Sequence, residues 1–465
     1  MIRRVAAGLC FLALAGATTR AEESARSVGD EINTIRWRED YSFLRDRPEL
    51  TLLERLKFIS LNERETVYLT LGGEVRERAE DYNLAFFGLR GGTSFASYGT
   101  RLLADADLHV GPRFRTFLEL GSFWDTGRKP AARPIDRGDL EVQQGFVDFL
   151  GLDRPDSHLT LRLGRQEVPL GAGRLVSIRD ASSVRLVFDA AKVIWDGGGR
   201  GSLEVFAGRP VDPKPGVFES GTSHREWLWY ADWSRRGEGD RRPNAELFYI
   251  GHEMKGAVYG RGTATETRHN LGGRIWGRLA PGDYSLQASY QLGSFGSADI
   301  RAWGVATDTG YTLAFARGRP RLALRADMAS GDRGEPGTVR SFSAPYPALN
   351  YFSEAAIFAP GNGYDLHPYV EARPVKQLST SVGVDFLWRS ERTDAIYRAG
   401  GGLLLRPGVS AARFVTAITQ VDGTWQPVPQ VGLRAAWVLA TAGPVVRSAG
   451  GRDTRFLLLS LDIRL

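Results

Sequence analysis

Residues 159–189 read LTLRLGRQEVPLGAGRLVSIRDASSVRLVFD. Leu159, Leu161 and Leu163 alternate with Thr160, Arg162, Gly164 and Gln166. In an extended chain successive side chains point to opposite faces, so the leucines share one side and the polar set the other. A glycine- and arginine-rich loop follows. From about 184 the pattern predicts a second strand, with Arg185 and Asp189 on its polar face. This two-faced alternation recurs along most of the chain. It reads as the wall of a closed barrel, apolar outside and charged inside.

Upstream, Val67, Leu69, Leu71, Gly73 and Val75 oppose Tyr68, Thr70, Glu74, Arg76 and Arg78. Leu102, Ala104, Ala106 and Leu108 oppose Arg101, Asp105, Asp107 and His109, and Phe114, Thr116, Leu118 and Leu120 oppose Arg113, Arg115 and Glu119. Downstream, Tyr284, Leu286, Ala288, Tyr290 and Leu292 oppose Ser285, Gln287, Ser289 and Gln291. Eighteen such strands can be laid out, beginning near 67, 98, 113, 140, 159, 184, 202, 226, 244, 267, 284, 300, 320, 365, 377, 412, 430 and 454. Short turns alternate with longer loops at 81–97, 125–139, 167–183, 210–225, 253–266, 330–364, 390–411 and 441–453; the connection near 294–299 alone breaks the rule by being short. Even strand number, short periplasmic turns and longer external loops are the pattern of bacterial outer-membrane barrels. The expected fold is therefore all-β: a single transmembrane antiparallel β-barrel of about 18 strands over residues 66–465. The last strand, RFLLLSLDIRL, ends on Leu465, where outer-membrane proteins usually end on an aromatic residue.

Composition agrees. The chain has 465 residues, 55 of them Gly and only 3 Met, which suits strands and turns better than a helical bundle. Its formal charge is +6, and only six of the 60 basic residues are lysine. That bias reads either as codon usage or as selection of guanidinium groups, which grip carboxylates in a planar fork. Residues 1–21 have the form of a secretory signal peptide: Arg3 and Arg4, then an apolar run, then small residues. The one cysteine, Cys10, falls inside it, so the exported chain is expected to lack disulfides and thiol chemistry. No later run approaches the length of a membrane helix. Residues 22–65 read as a separate periplasmic segment, with Leu52, Leu53, Leu56 and Ile59 at helical spacing. A soluble sandwich also alternates, but it would expose its charged faces to bulk water. The Tyr and Trp residues near strand ends (Tyr82, Trp124, Trp195, Trp233, Tyr284, Trp388) fit the interfacial girdles of a membrane barrel instead.

Several segments resemble the alginate export family of outer-membrane porins. They are WREDYSFLRD (Trp37–Asp46), YLTLGGEVRERAE (Tyr68–Glu80), GRQEVPLGAGRL (Gly164–Leu175), FDAAKV (Phe188–Val193), SGD (Ser330–Asp332), FSAPYPALNYF (Phe342–Phe352) and FLWRSERTDAIY (Phe386–Tyr397). The resemblance implies an eighteen-stranded barrel with an arginine-lined constriction that passes an acidic polysaccharide. Gly171-Ala172-Gly173 departs from the family, lacking an acidic residue expected there. Arg162 and Arg165 sit where the family places selectivity residues, and Arg174 on the next loop is placed to fold inward.

The candidate pore set is Arg76, Arg115, Glu119, Arg162, Arg165, Arg174, Asp189, Arg325, Asp327, Arg389 and Arg464. Rings of arginine select anions, and interleaved acids hold the guanidiniums while keeping binding loose enough for passage. The same charges also satisfy one another across any wide barrel. Loop 330–364, dense in Pro, Tyr and Phe, reads as a lid or an infolded loop, or else as an ordered surface loop. The function expected is an outer-membrane channel for an anionic substrate, with export of an acidic polysaccharide such as alginate favoured. An anion-selective porin for small carboxylates or oligosaccharides is the alternative, and a barrel hydrolase the remaining one. The chain has six histidines but no HExxH, GxSxG or Cys/His cluster, and no motif that calls for a cofactor. The partners expected are the anionic solute and the lipid bilayer. Periplasmic secretion machinery is an open question, and nucleic acid is not expected because basic residues are interleaved with acids.

Overall fold

The computed structural model describes residues 27–154, 156–237 and 242–465; the expected signal peptide lies outside the described residues. Eighteen long strands form the wall. They are β1 (Val67–Asn83), β2 (Phe95–Val110), β3 (Phe114–Thr126), β4 (Gly138–Arg154), β5 (Ser157–Glu167), β6 (Val187–Asp196), β7 (Ser202–Asp212), β8 (Glu226–Arg235) and β9 (Asn244–Tyr259). The second half holds β10 (Gly262–Leu279), β11 (Gly282–Phe295), β12 (Ala298–Thr312), β13 (Arg321–Ala329), β14 (Gly363–Val375), β15 (Leu378–Trp388), β16 (Phe414–Val428), β17 (Val431–Ala442) and β18 (Thr454–Arg464). Each pairs antiparallel with its neighbours in sequence, and β1 pairs with β18 through Glu74 and Arg464, which closes the barrel.

Alternation sets the faces. Leu102, Leu118, Leu247, Leu271, Leu286 and Leu459 are exposed on the outer surface, while Glu74, Arg101, Glu119, Arg162, Arg268 and Asp385 are buried within. Such an outward apolar band is stable in lipid, and closure leaves no unpaired strand edge there. Tyr82 departs from the expected girdle. It shares parity with Tyr68, points inward, and donates its hydroxyl to the Ala355 carbonyl at 3.1 Å.

The expected long loop at 253–266 is instead a hairpin with Gly260-Arg261 as its turn. The polar run TATETRHN, which resembles a loop, is strand, because its inward Glu266 and Arg268 pair at 3.0 Å. The strand expected from about 184 starts at Val187, leaving Arg185 in the preceding loop.

A barrel of this strand number is too wide for wall side chains to fill. Chain segments enter the lumen instead. Loop 330–362 crosses it: Ser341 O accepts from Arg268 of β10 at 3.1 Å, Ser343 O from Gln291 of β11 at 2.7 Å, and Ala355 O from Tyr82 of β1. Its Phe342, Tyr346, Ile357 and Phe358 are buried in apolar clusters with the wall. Loop 168–186 joins it through backbone bonds between Tyr346 and the Leu175–Ser177 stretch, at 2.9 and 2.8 Å.

Residues 27–65 lie against β1–β6 at the end of the barrel that carries the short turns. They contain α1 (Val28–Glu31) and α2 (Leu52–Lys57). Thr51 and Glu54 form a capping box that starts α2, and Thr70 of β1 donates to the Lys57 carbonyl at 2.8 Å, beside its end. The helix is shorter than the leucine spacing suggests. Leu52 is exposed, and Ile59 lies in an extended pair with Leu69 of β1.

Candidate functional site

Within the lumen most of the expected pore residues fall into three groups of charged side chains. The first lies beneath loop 168–186. Glu74 accepts from Arg101 at 2.8 Å and from Arg185 and Arg464 at 3.2 Å. Asp180 accepts from Arg101 and Arg185, each at 2.7 Å. Arg76 donates to the carbonyls of Asp180 and Ser182, both at 2.6 Å. Burial acts to raise the Asp180 carboxyl, but Arg185, Arg101 and Arg76 outweigh it and hold it well below the usual carboxylate range. Buried charges persist only when compensated in this way. Glu119 lies nearby, fully buried, accepting from Gln144 at 3.1 Å.

The second group sits under the N-terminal segment. Arg162 forms a two-pronged pair with Asp148, both contacts 2.7 Å, and Arg115 does so with Asp107 at 2.8 and 2.6 Å. The Trp37 ring lies 4.0 Å from the Arg162 guanidinium, and Trp37 O accepts from Arg115 at 2.6 Å.

The third group lies across the lumen. Arg325 pairs with Asp385 at 3.1 Å and donates to Tyr351 O at 3.1 Å. Tyr351 in turn donates its hydroxyl to Asp327 at 2.7 Å, pinning loop 330–362 to the wall. A cavity of about 50 Å³ beside this contact is lined in part by Arg174 and Asp327. Arg174 donates to Ala306 O at 3.2 Å.

Below this contact a cavity of about 2040 Å³ opens at the short-turn end, lined among the described residues by seven basic and four acidic ones. Arg321 is saturated by Asp283 and Asp308, both at 2.6 Å, and by Glu371 at 3.3 Å. Arg278, Arg319, Arg373 and Lys376 at its rim have no ion-pair partner among the described residues. On β13 the inward column Arg321, Ala323, Arg325, Asp327 connects this vestibule to the small cavity over about 20 Å, at the usual rise per residue.

Three expected pore residues are not gathered. Arg165 and Asp189 pair with each other at 2.8 Å, on the same parity as the lipid-facing Leu161, Leu163 and Val193. They belong to the outward side, where Thr222 adds a hydrogen bond at 2.6 Å. Arg389 follows β15 among the long loops and donates to Ala412 O at 2.9 Å, anchoring a loop. Conversely, Arg36, Trp37 and Asp180 are central although sequence reasoning passed over them. The WREDY segment held the signal for Trp37. Asp180, alone in a loop, offered none.

The family model for alginate export matches residues 67–459, from the first strand of the wall into the last. The chain belongs to the alginate export family. It is an outer-membrane barrel of the channel type. The solved structures similar to it include OccD3 (OpdP) of Pseudomonas aeruginosa, with a TM-score of 0.58, 12% identity, and 88% of this chain and 93% of that one covered. OccAB1 of Acinetobacter baumannii matches at a TM-score of 0.57 and 14% identity, covering 89% and 99%. OccK11 (OpdR) of Pseudomonas aeruginosa matches at 0.55 and 14%, covering 85% and 96%. At these identities the likeness is one of fold. No curated protein matches the chain.

Proposed function

We propose that this alginate-export-family barrel passes an acidic polysaccharide of the polyuronate class, entering at the vestibule and leaving past loop 330–362. The observation that carries the reading is the excess of basic groups among the described residues of the vestibule, where four rim cations have no carboxylate partner among the described residues. Field lines from such a cationic concavity concentrate an anionic chain at its mouth. Further in, most guanidiniums, Arg325 and Arg162 among them, are already held by a carboxylate, so uronate groups meet weak, exchangeable sites instead of traps. The lumen acts by selection and not by catalysis. Tyr351, bound to both Arg325 and Asp327, is the contact that must part for a polymer to leave.

Polyuronate added on the vestibule side of a planar bilayer is expected to block the chloride current in a concentration-dependent manner, while a neutral glucan of equal length does not. Equal block by both polymers contradicts charge recognition. The small cavity at Tyr351 favours a second reading, passage of small carboxylates. In that case monomeric uronate carries current and the polymer leaves it unchanged.

A further inference from the structure

We propose that residues 33–39 are a displaceable plug that covers an anion-binding face of the lumen, and that an acidic polymer competes with the plug for that face. This extends the channel reading above.

The segment adds neutral acceptors to wall cations that a carboxylate already holds: Arg185 on Asp180 and Glu74, Arg115 on Asp107, Arg162 on Asp148 and Lys192 on Glu204. Thr34 O accepts from Arg185 at 3.2 Å, and Trp37 O from Arg115 at 2.6 Å. The Trp37 ring lies 4.0 Å from the Arg162 guanidinium and 5.2 Å from the Lys192 ammonium. Carbonyls and a π face are weaker partners for these cations than carboxylates, whose hydrogen bonds are charge-assisted. A polyuronate therefore presents stronger acceptors to the same donors than the plug does.

The contact is also costly for the plug. Arg36 is buried between Glu39 at 2.6 Å and Asp105 at 3.4 Å, and fits only because Gly72 has no side chain: a Cβ there would lie 2.7 Å from the Arg36 guanidinium. Trp37 Nε1 and Lys57 Nζ are buried with no hydrogen-bond partner among the described residues. Burying charge and leaving donors unsatisfied both weaken docking. Downstream, the segment is tied to the wall by the Ile59–Leu69 pairing, so it can swing out without being lost.

A reversible tether tests this. A Cβ built at Gly29 would lie 3.0 Å from Pro429 Cβ in the turn between β16 and β17. That is about half an ångström short of the separation a disulfide spans, a shift the turn must supply. In Gly29→Cys/Pro429→Cys, with Cys10, the chain's one cysteine, replaced by Ser, oxidation pins the segment at both ends. Chloride current is then recorded before and after dithiothreitol, with and without polyuronate. The expected result is a single small conductance when oxidised and, after reduction, a further level at least about twofold larger, populated more when Trp37→Ala is added. Polyuronate at sub-blocking concentration increases that occupancy only in the reduced protein. Identical currents in the oxidised and reduced protein overturn the plug. If the larger level appears but polyuronate leaves it unchanged, the plug stands as a gate and its competition with the polymer is refuted. The chloride arm is independent of substrate, so it separates failure of the plug from failure of the polyuronate reading.

Discussion

At the scale of single residues, the inward arginines do two different jobs. Arg162 is nearly fully buried, paired with Asp148 and covered by Trp37. Removing one member of a buried pair leaves the other charge uncompensated, so Arg162→Ala is expected to cost about 3 kcal/mol. Asp148→Asn in the same chain should recover part of that loss. Urea unfolding in detergent reads both. The rim cations behave oppositely. Arg319→Ala/Arg373→Ala/Lys376→Ala should leave unfolding unchanged and lower anion over cation permeability, read from reversal potential, because lumen charges tune selectivity. Parity made the residue scale partly legible: Glu74, Arg76, Arg115 and Arg162 face inward as alternation requires. Arg165 and Asp189 violate the functional expectation for the same reason, since their odd positions on β5 and β6 put them with the lipid-facing leucines.

At the scale of elements, the segments inside the lumen set what the wall can do. Loop 330–362 is held at its centre by Tyr351, whose hydroxyl reaches Asp327. Tyr351→Phe removes a hydrogen bond to a charged group, about 1.5 kcal/mol, and should favour the open state roughly tenfold in single-channel records. The N-terminal segment carries its own pH response. Burial, then the neighbouring Arg36, pulls the Lys57 ammonium down from 10.5 to about 8, against Glu39 and Asp105, which act to raise it. Between those two values the docked segment binds fewer protons than the free one, so docking tightens as pH rises from about 8 to about 10.5, by up to about 3 kcal/mol. Glu39, raised by burial despite Arg36, works in the opposite sense on the acid side, its docked carboxyl losing stability as pH climbs above the ordinary carboxylate range. Limited proteolysis within residues 33–57 should slow between pH 7.5 and pH 10; cleavage at equal rates at the two values contradicts the assignment to Lys57. None of this was legible beforehand. Helical spacing at Leu52–Ile59 described a local propensity, whereas the position of Arg36 and Trp37 follows from the width of the lumen they enter.

At the scale of the molecule, closure imposes one alternation on all eighteen strands, with an apolar outer face broken by few charges and a largely polar inner one. Repetition is why the wall was readable from alternation alone. The hairpin around Gly260-Arg261 shows its limit, since Glu266 and Arg268 cancel one another and leave a run that looks like loop. The contents of the lumen obey no such repeat. They follow from contacts hundreds of residues apart, such as Arg464 with Glu74 or Tyr82 with Ala355. The proposed anion selectivity of the vestibule is tested most directly by the reversal potential across a potassium chloride gradient in a planar bilayer. The sign should report chloride as the more permeant ion, with the preference falling as ionic strength screens the rim cations. A potential near zero, or one of cation sign, at low salt would contradict the account.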